Sequence, residues 1–165
     1  YRHPHIYGEV NVNDEVEVKK NWENLKLKKG KKSVLEGVPT SLPSLVKSFR
    51  IQEKVRGIGF DWDNQSQVWD KVIEEINELR IEIKNGNQDR IESEFGDVLF
   101  SLVNYARFVN VNPADALERT NKRFVERFKI MEKNILNDGL NISEMSLSEM
   151  DIYWENAKNL FLNKK

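Results

Sequence analysis

A chain of 165 residues with 39% hydrophobic and 32% charged side chains is long enough to bury a sizeable core in one domain and reads as a soluble globular protein. Its 26 basic and 27 acidic residues leave a net charge of only -1, which excludes a global field for attracting nucleic acid or a membrane surface. There is no cysteine, so disulfides are excluded and a reducing cytoplasm is the expected compartment; there is also no apolar run long enough to span a bilayer and no signal peptide.

Taken in order, the chain opens on Tyr1-Arg2-His3-Pro4-His5. His3 and His5 are far from the carboxylate-rich stretches and sit beside a proline, so they read as a surface loop rather than metal ligands. Asp14 and Glu17 have the spacing of a capping box for a short helix carrying Val18, Trp22 and Leu25. The basic run from Lys26 to Lys32 that follows reads as a solvated linker. Ser41-Leu42-Pro43 starts a helix with proline in its first turn, which carries Leu45, Val46, Phe49, Ile51 and Val55 to a stop near Gly57-Ile58-Gly59. Phe60 to Asp63 forms a loop in which Trp62 is expected in the core, with base stacking as the alternative.

The next stretch, Lys71 to Asp97, organises the rest. At 3.6 residues per turn, Trp69, Val72, Ile73, Ile76, Leu79 and Ile83 make one apolar face, with Glu75 and Glu78 beside it and Glu74 further round. Lys71 stands four residues before Glu75 and adds an ammonium to the acidic side. Asn85-Gly86-Asn87 is a helix stop and turn. The helix after it is apolar around most of its circumference through Ile91, Phe95, Val98, Leu99, Leu102, Val103, Ala106 and Val109, yet Glu94, Asp97, Ser101 and Asn104 form a polar stripe along it. Such a helix is expected to be buried, and buried carboxylates need a paired charge or a cation. Glu75, Glu78, Glu94 and Asp97 therefore predict a site for a hard divalent cation, magnesium with manganese as a substitute. Zinc and di-iron chemistry are disfavoured by the missing cysteines and the absence of Glu-x-x-His from either helix. For the first acidic helix taken alone, a solvated glutamate face is an equal alternative.

Asn112-Pro113 reads as an N-cap followed by proline at the first helical position. The helix it opens is expected to turn Ala116, Leu117, Thr120, Phe124, Phe128, Met131 and Ile135 to the core and to stop at Asn137-Asp138-Gly139. Ser146 and Glu149 form a further capping box, so a last helix carries Met150, Trp154, Ala157 and Phe161. No stretch alternates as a strand does, and the fold class is all-α, a helical bundle.

Glu74-Glu75-x-x-Glu78 followed by Glu94-x-x-Asp97 resembles the EExxE and ExxD motif pair of the all-α nucleoside triphosphate pyrophosphohydrolases of the MazG type. The resemblance runs from about Gly37 to Lys158 and includes GVPTSLPSL, GIGFDW, EFGDVLFSLVNYARF and NKRFVERF. EExxE alone is common by chance, whereas the ordered set is specific. Val18 to Lys26 also faintly echoes Met150 to Lys158, and longer MazG-like chains carry two related modules. The resemblance thus implies that residues 1–36 are the tail of a preceding module plus a linker, and that residues 37–165 are the pyrophosphohydrolase domain.

What the resemblance implies for function is magnesium-dependent attack of water on the α-phosphorus of a nucleoside triphosphate, giving nucleoside monophosphate and pyrophosphate. Glu75, Glu78, Glu94 and Asp97 would hold the metal, and Glu74 or Glu75 would orient the water or accept its proton. Lys71, Arg90, Arg123, Arg127 and Trp154 match positions that contact the nucleotide, the last more loosely; a surface salt-bridge role for Arg123 and Arg127 is the alternative. No Walker A or Ser-His-Asp pattern competes with this mechanism. Two other readings stay open: a helical interaction module that has lost catalysis, and a related pyrophosphohydrolase restricted to one nucleotide. The apolar helix from Arg90 to Val109 is hard to cover within so small a bundle, and a homodimer is expected to cover it. No nucleic-acid or membrane partner is expected.

Overall fold

The computed structural model describes residues 33–162, with side chains up to residue 160, and contains five α-helices, one short 3-10 helix and no strand among them. The all-α expectation is borne out. His3 and His5, the Asp14–Glu17 capping box with its helix, the basic run and the echo around Trp22 lie outside the described residues, as does the side chain of Phe161. The chain divides into two compact units at Pro113 and Ala114.

The first unit holds α1 (Ser44–Arg56), α2 (Gln65–Asn85) and α3 (Gln88–Phe108). Helix α1 starts one residue later than its proline suggests, because Pro43 serves as the N-cap, with its carbonyl accepting from the Lys47 amide at 2.9 Å. The expected stop and turn at Asn85-Gly86-Asn87 is present. Asn64 caps α2 by accepting from the Gln67 amide at 3.1 Å, and Gly86 ends it in the left-handed conformation at φ 72°, where a Cβ would be strained. Asn87 then caps α3 through the Arg90 amide at 3.2 Å. So short a connection makes α2 and α3 an antiparallel pair.

Burial in this unit departs from the predicted stripe. Val68, Val72 and Glu75 are the buried residues of α2, and they recur at i, i+4 and i+7. Val98, Ser101 and Val103 are the buried ones of α3. Trp69, Ile73, Ile76 and Ile83, expected on the core face, are 45%, 43%, 37% and 56% exposed. The hydrophobic arc of α2 is wider than the contact α3 makes with it, and the line that α3 covers passes through Glu75 and along the edge of the arc. Helix α3 is likewise not buried all round, since Phe95, Leu99, Phe100 and Leu102 are each more than two-fifths exposed. Two neighbouring helices thus leave apolar faces uncovered among the described residues.

Helix α1 meets α3 through the buried Gln52, whose amide donates to the Phe100 carbonyl at 2.8 Å. The loop between α1 and α2 is fastened by a buried guanidinium. Arg107 donates through Nη1 to Asp61 Oδ2 at 2.8 Å and through Nη2 to Oδ1, and its side chain is only 6% exposed. Asn104 accepts from the same guanidinium at 2.8 Å, so this member of the polar stripe anchors the loop. Phe60 and Trp62, which flank Asp61, are exposed; Trp62 is not core.

Gly96 has nothing within 4 Å of where its Cβ would stand. Glycine inside a helix costs about 1 kcal/mol relative to alanine. Gly96→Ala is therefore expected to raise the urea unfolding free energy by about that amount; a fall would show that another molecule approaches the helix here.

The second unit holds α4 (Pro113–Asn137), a 3-10 helix (Ile142–Glu144) and α5 (Leu147–Leu162). Met131, Ile135 and Ala157 form its core, with Phe128, Ile142, Met145, Tyr153 and Trp154 packed against them. The Ser146–Glu149 capping box is reciprocal, with the Ser146 amide donating to Glu149 Oε2 at 2.8 Å and the Glu149 amide donating to Ser146 Oγ at 3.4 Å. The Ser146 hydroxyl, which donates to Glu149 Oε2 at 2.6 Å, and after it the Ser146 amide hold the exposed Glu149 carboxyl below its ordinary pKa. The predicted core stripe of α4 holds from Phe128 onward. Leu117, Thr120 and Phe124 are exposed instead, because α5 has 16 residues against 25 in α4 and leaves the first turns of its partner uncovered.

Candidate metal centre

Glu75, Glu78 and Glu94 each direct a carboxylate oxygen to one place, the three lying within 4.8 Å of one another. The antiparallel packing of α2 on α3 produces this. Glu75 and Glu78 are three residues apart and share a face of α2, Val72 is buried one turn before Glu75, and Glu94 projects from the second turn of α3. Asp97, expected as a fourth ligand, stands one turn further along α3, is exposed and is outside this set. It is close enough to act on Glu94. The Glu94 carboxyl is raised above its usual pKa first by partial burial and then by Glu78, Asp97, Glu75 and Glu82.

The acidity is partly offset on one side. Lys71 lies 2.8 Å from Glu74 Oε1 and 2.8 Å from Glu75 Oε1, bonds that push its ammonium well above the ordinary lysine range, Glu74 contributing most. It stays protonated throughout the physiological range. The two glutamates differ in setting: the Glu74 side chain is 55% exposed and that of Glu75 only 10%.

On the far side, Arg90 reaches back from α3 to Glu82 Oε1 at 3.7 Å. Glu82 stands one turn beyond Glu78 on α2. Its side chain is largely covered, and Oε2 is buried with no hydrogen-bond partner. Its spacing, four after Glu78 and seven after Glu75, was the available signal, since those offsets return to one face of a helix.

The remaining candidates lie in the second unit. Arg123 is exposed and donates to Thr120 Oγ1 at 3.2 Å, and Arg127 is half-buried. Trp154 packs on the core of that unit, so ordinary packing accounts for part of its burial.

Three mutually repelling carboxylates, Glu94 with its raised pKa among them, fit a hard cation, whose oxygen-ligand preference this set matches. Fold and site together define an all-α protein with a carboxylate centre built across a helical hairpin. Residues 64–131, which hold that centre, match the MazG nucleotide pyrophosphohydrolase domain. It is 42% identical over 160 residues to the nucleoside triphosphate pyrophosphohydrolase/pyrophosphatase MazG of Thermotoga maritima, covering 95% of this chain and 60% of that protein. It is 34% identical over 163 residues to the nucleoside triphosphate pyrophosphohydrolase of Escherichia coli K12, covering 95% and 62%. A Bacillus subtilis protein, YabN, is 40% identical over 161 residues, covering 95% of this chain and 33% of its own length. The chain thus spans about three-fifths of the first two relatives.

Proposed function

We propose that this chain hydrolyses nucleoside triphosphates to nucleoside monophosphate and pyrophosphate with magnesium, or manganese in its place. The observation that carries the reading is the convergence of Glu75, Glu78 and Glu94 within the segment that matches the MazG domain. Glu75, Glu78 and Glu94 would hold the cation, with Asp97 one turn beyond as the fourth carboxylate. Such a cation supplies Lewis acidity to phosphate oxygens and lowers the pKa of water.

The chain's own residues do the rest. Glu74 is the better candidate for the base: it is exposed and outside the converging set, whereas Glu75 is covered and within it. Glu74 accepts the proton as the water oxygen bonds to the α-phosphorus and the bond to the bridging oxygen breaks; pyrophosphate leaves with that electron pair. Lys71 orients Glu74 and places a fixed positive charge beside the site. Arg90, released from Glu82, binds phosphate oxygens; in the second unit the resemblance gives Arg123 and Arg127 the same role and Trp154 a stacking face for the base. The domain comprises residues 37–165, and a cytoplasmic enzyme fits both its substrates and a chain without cysteine. No helix among the described residues is long and apolar enough to cross a membrane.

A homodimer covering the outer faces of α2 and α3 completes the reading, supported by the exposure of Trp69, Ile73, Ile83, Phe95 and Leu99. Light scattering at micromolar concentration is expected to give twice the chain's 19.4 kDa; a monomer mass removes this part. The activity itself is tested by product analysis after incubation with a panel of triphosphates and magnesium. Monophosphate with pyrophosphate is expected, and binding without turnover would point instead to an interaction module.

A further inference from the structure

Glu82 has no task in the chemistry proposed above, yet its surroundings call for one. It falls four residues after Glu78 and seven after Glu75, on the face of α2 that carries both, and its side chain is only 14% exposed. Oε1 has two long contacts, to Asn85 Nδ2 at 3.4 Å and to Arg90 Nη1 at 3.7 Å. Oε2 is buried and accepts no hydrogen bond. A carboxylate withdrawn from water without a close donor is costly. Arg90 relieves little of that cost, because its own side chain is 68% exposed and stays hydrated. Once Arg90 turns to a phosphate, even that contact is gone.

Glu82 is within electrostatic reach of the acidic centre, since it joins Glu78, Asp97 and Glu75 in raising the Glu94 carboxyl. It is nevertheless outside the converging set of Glu75, Glu78 and Glu94, and one helical turn, about 5.4 Å, separates it from Glu78 along α2. Direct ligation is therefore left to the converging set. Magnesium gives up its water reluctantly and keeps several molecules of it when carboxylates bind, and such water is the close O–H donor that Oε2 lacks. We propose that Glu82 is a positioning residue of the metal centre, whose buried Oε2 accepts a hydrogen bond from the hydration shell of the cation held by Glu75, Glu78 and Glu94. This role rests on the proposed function and deepens it, because it fixes how the water around the cation is oriented as well as where the cation sits.

The test is manganese binding, followed by calorimetry without nucleotide, together with metal-free thermal melts of the wild type, Glu82→Gln, Glu82→Asp and Glu78→Gln. Glu82→Gln is expected to raise the manganese Kd by about 10 to 100-fold, as loss of a group that orients a metal centre from outside does. Its metal-free Tm is expected to be no lower than that of the wild type, since a buried and poorly paired charge has gone. Glu82→Asp keeps the charge but shortens the reach, and is expected to raise the Kd about tenfold. A wild-type Kd in Glu82→Asp overturns the role, because charge alone then accounts for the effect, and an unchanged Kd in Glu82→Gln overturns it outright. A lower metal-free Tm in Glu82→Gln with an unchanged Kd assigns Glu82 to the tie with Arg90 instead. If the wild type binds manganese and Glu78→Gln does not, the metal reading stands whatever Glu82 shows; no manganese binding by the wild type ends both.

Discussion

Glu78→Gln is expected to abolish magnesium-dependent turnover while circular dichroism stays near that of the wild type. Glu78 is exposed, so losing its charge removes a ligand without opening a cavity. Residues that merely orient a metal ligand commonly cost 10 to 100-fold, so loss of the ligand itself should exceed about a hundredfold. Asp97→Asn provides the sharper comparison. Asp97 is outside the converging set in this structure, and its variant is expected to fail as fully as Glu78→Gln only if its carboxylate joins the cation when substrate is bound. Wild-type activity in excess EDTA, or full activity in both variants, would sink the metal reading. Removing either charge also relieves repulsion on Glu94, so without metal neither variant should melt below the wild type.

The second large effect concerns stability rather than chemistry. Asp61→Ala leaves the Arg107 guanidinium buried without its carboxylate. Breaking a buried pair by removing one partner costs roughly 3 to 5 kcal/mol, and the residual 20% exposure of Asp61 argues for the lower end, about 3 kcal/mol. For a chain of this size that is a fall in Tm of about 6 to 12 °C. Arg56, whose exposed side chain lies 3.6 Å from Asp61, loses the same partner but stays in water, so it adds little to the cost. The double variant Asp61→Ala, Arg107→Met should recover much of the stability, since the unpaired charge is then gone. An unchanged urea midpoint in Asp61→Ala would show that the clasp contributes nothing net. Because Phe60 and Trp62 flank Asp61, proteolysis of this loop should quicken in the single variant.

Some of this was written in the chain itself. Asn64, Asn87, Gly86 and the Ser146–Glu149 box fix helix ends through bonds between residues at most four apart, so their meaning survives without any knowledge of the fold. The ordered acidic motifs likewise single out Glu75, Glu78 and Glu94, whose carboxylates the fold brings together: helical spacing aligns the first two, and the short turn after Asn85 returns the chain alongside them. Tertiary structure decided what spacing cannot express, which is how wide an arc of each helix its neighbour covers. Trp69, Ile73 and Phe95 are as hydrophobic as Val72 and Val98, yet they stay exposed because α2 and α3 meet along one narrow line. Phe124 is uncovered for a similar reason, since α5 is too short to follow α4 to its start. Asp61 and Arg107, 46 residues apart, carry no local pattern at all; only the fold brings a loop aspartate to the last turn of α3, where burial turns an ordinary ion pair into the clasp that holds the loop.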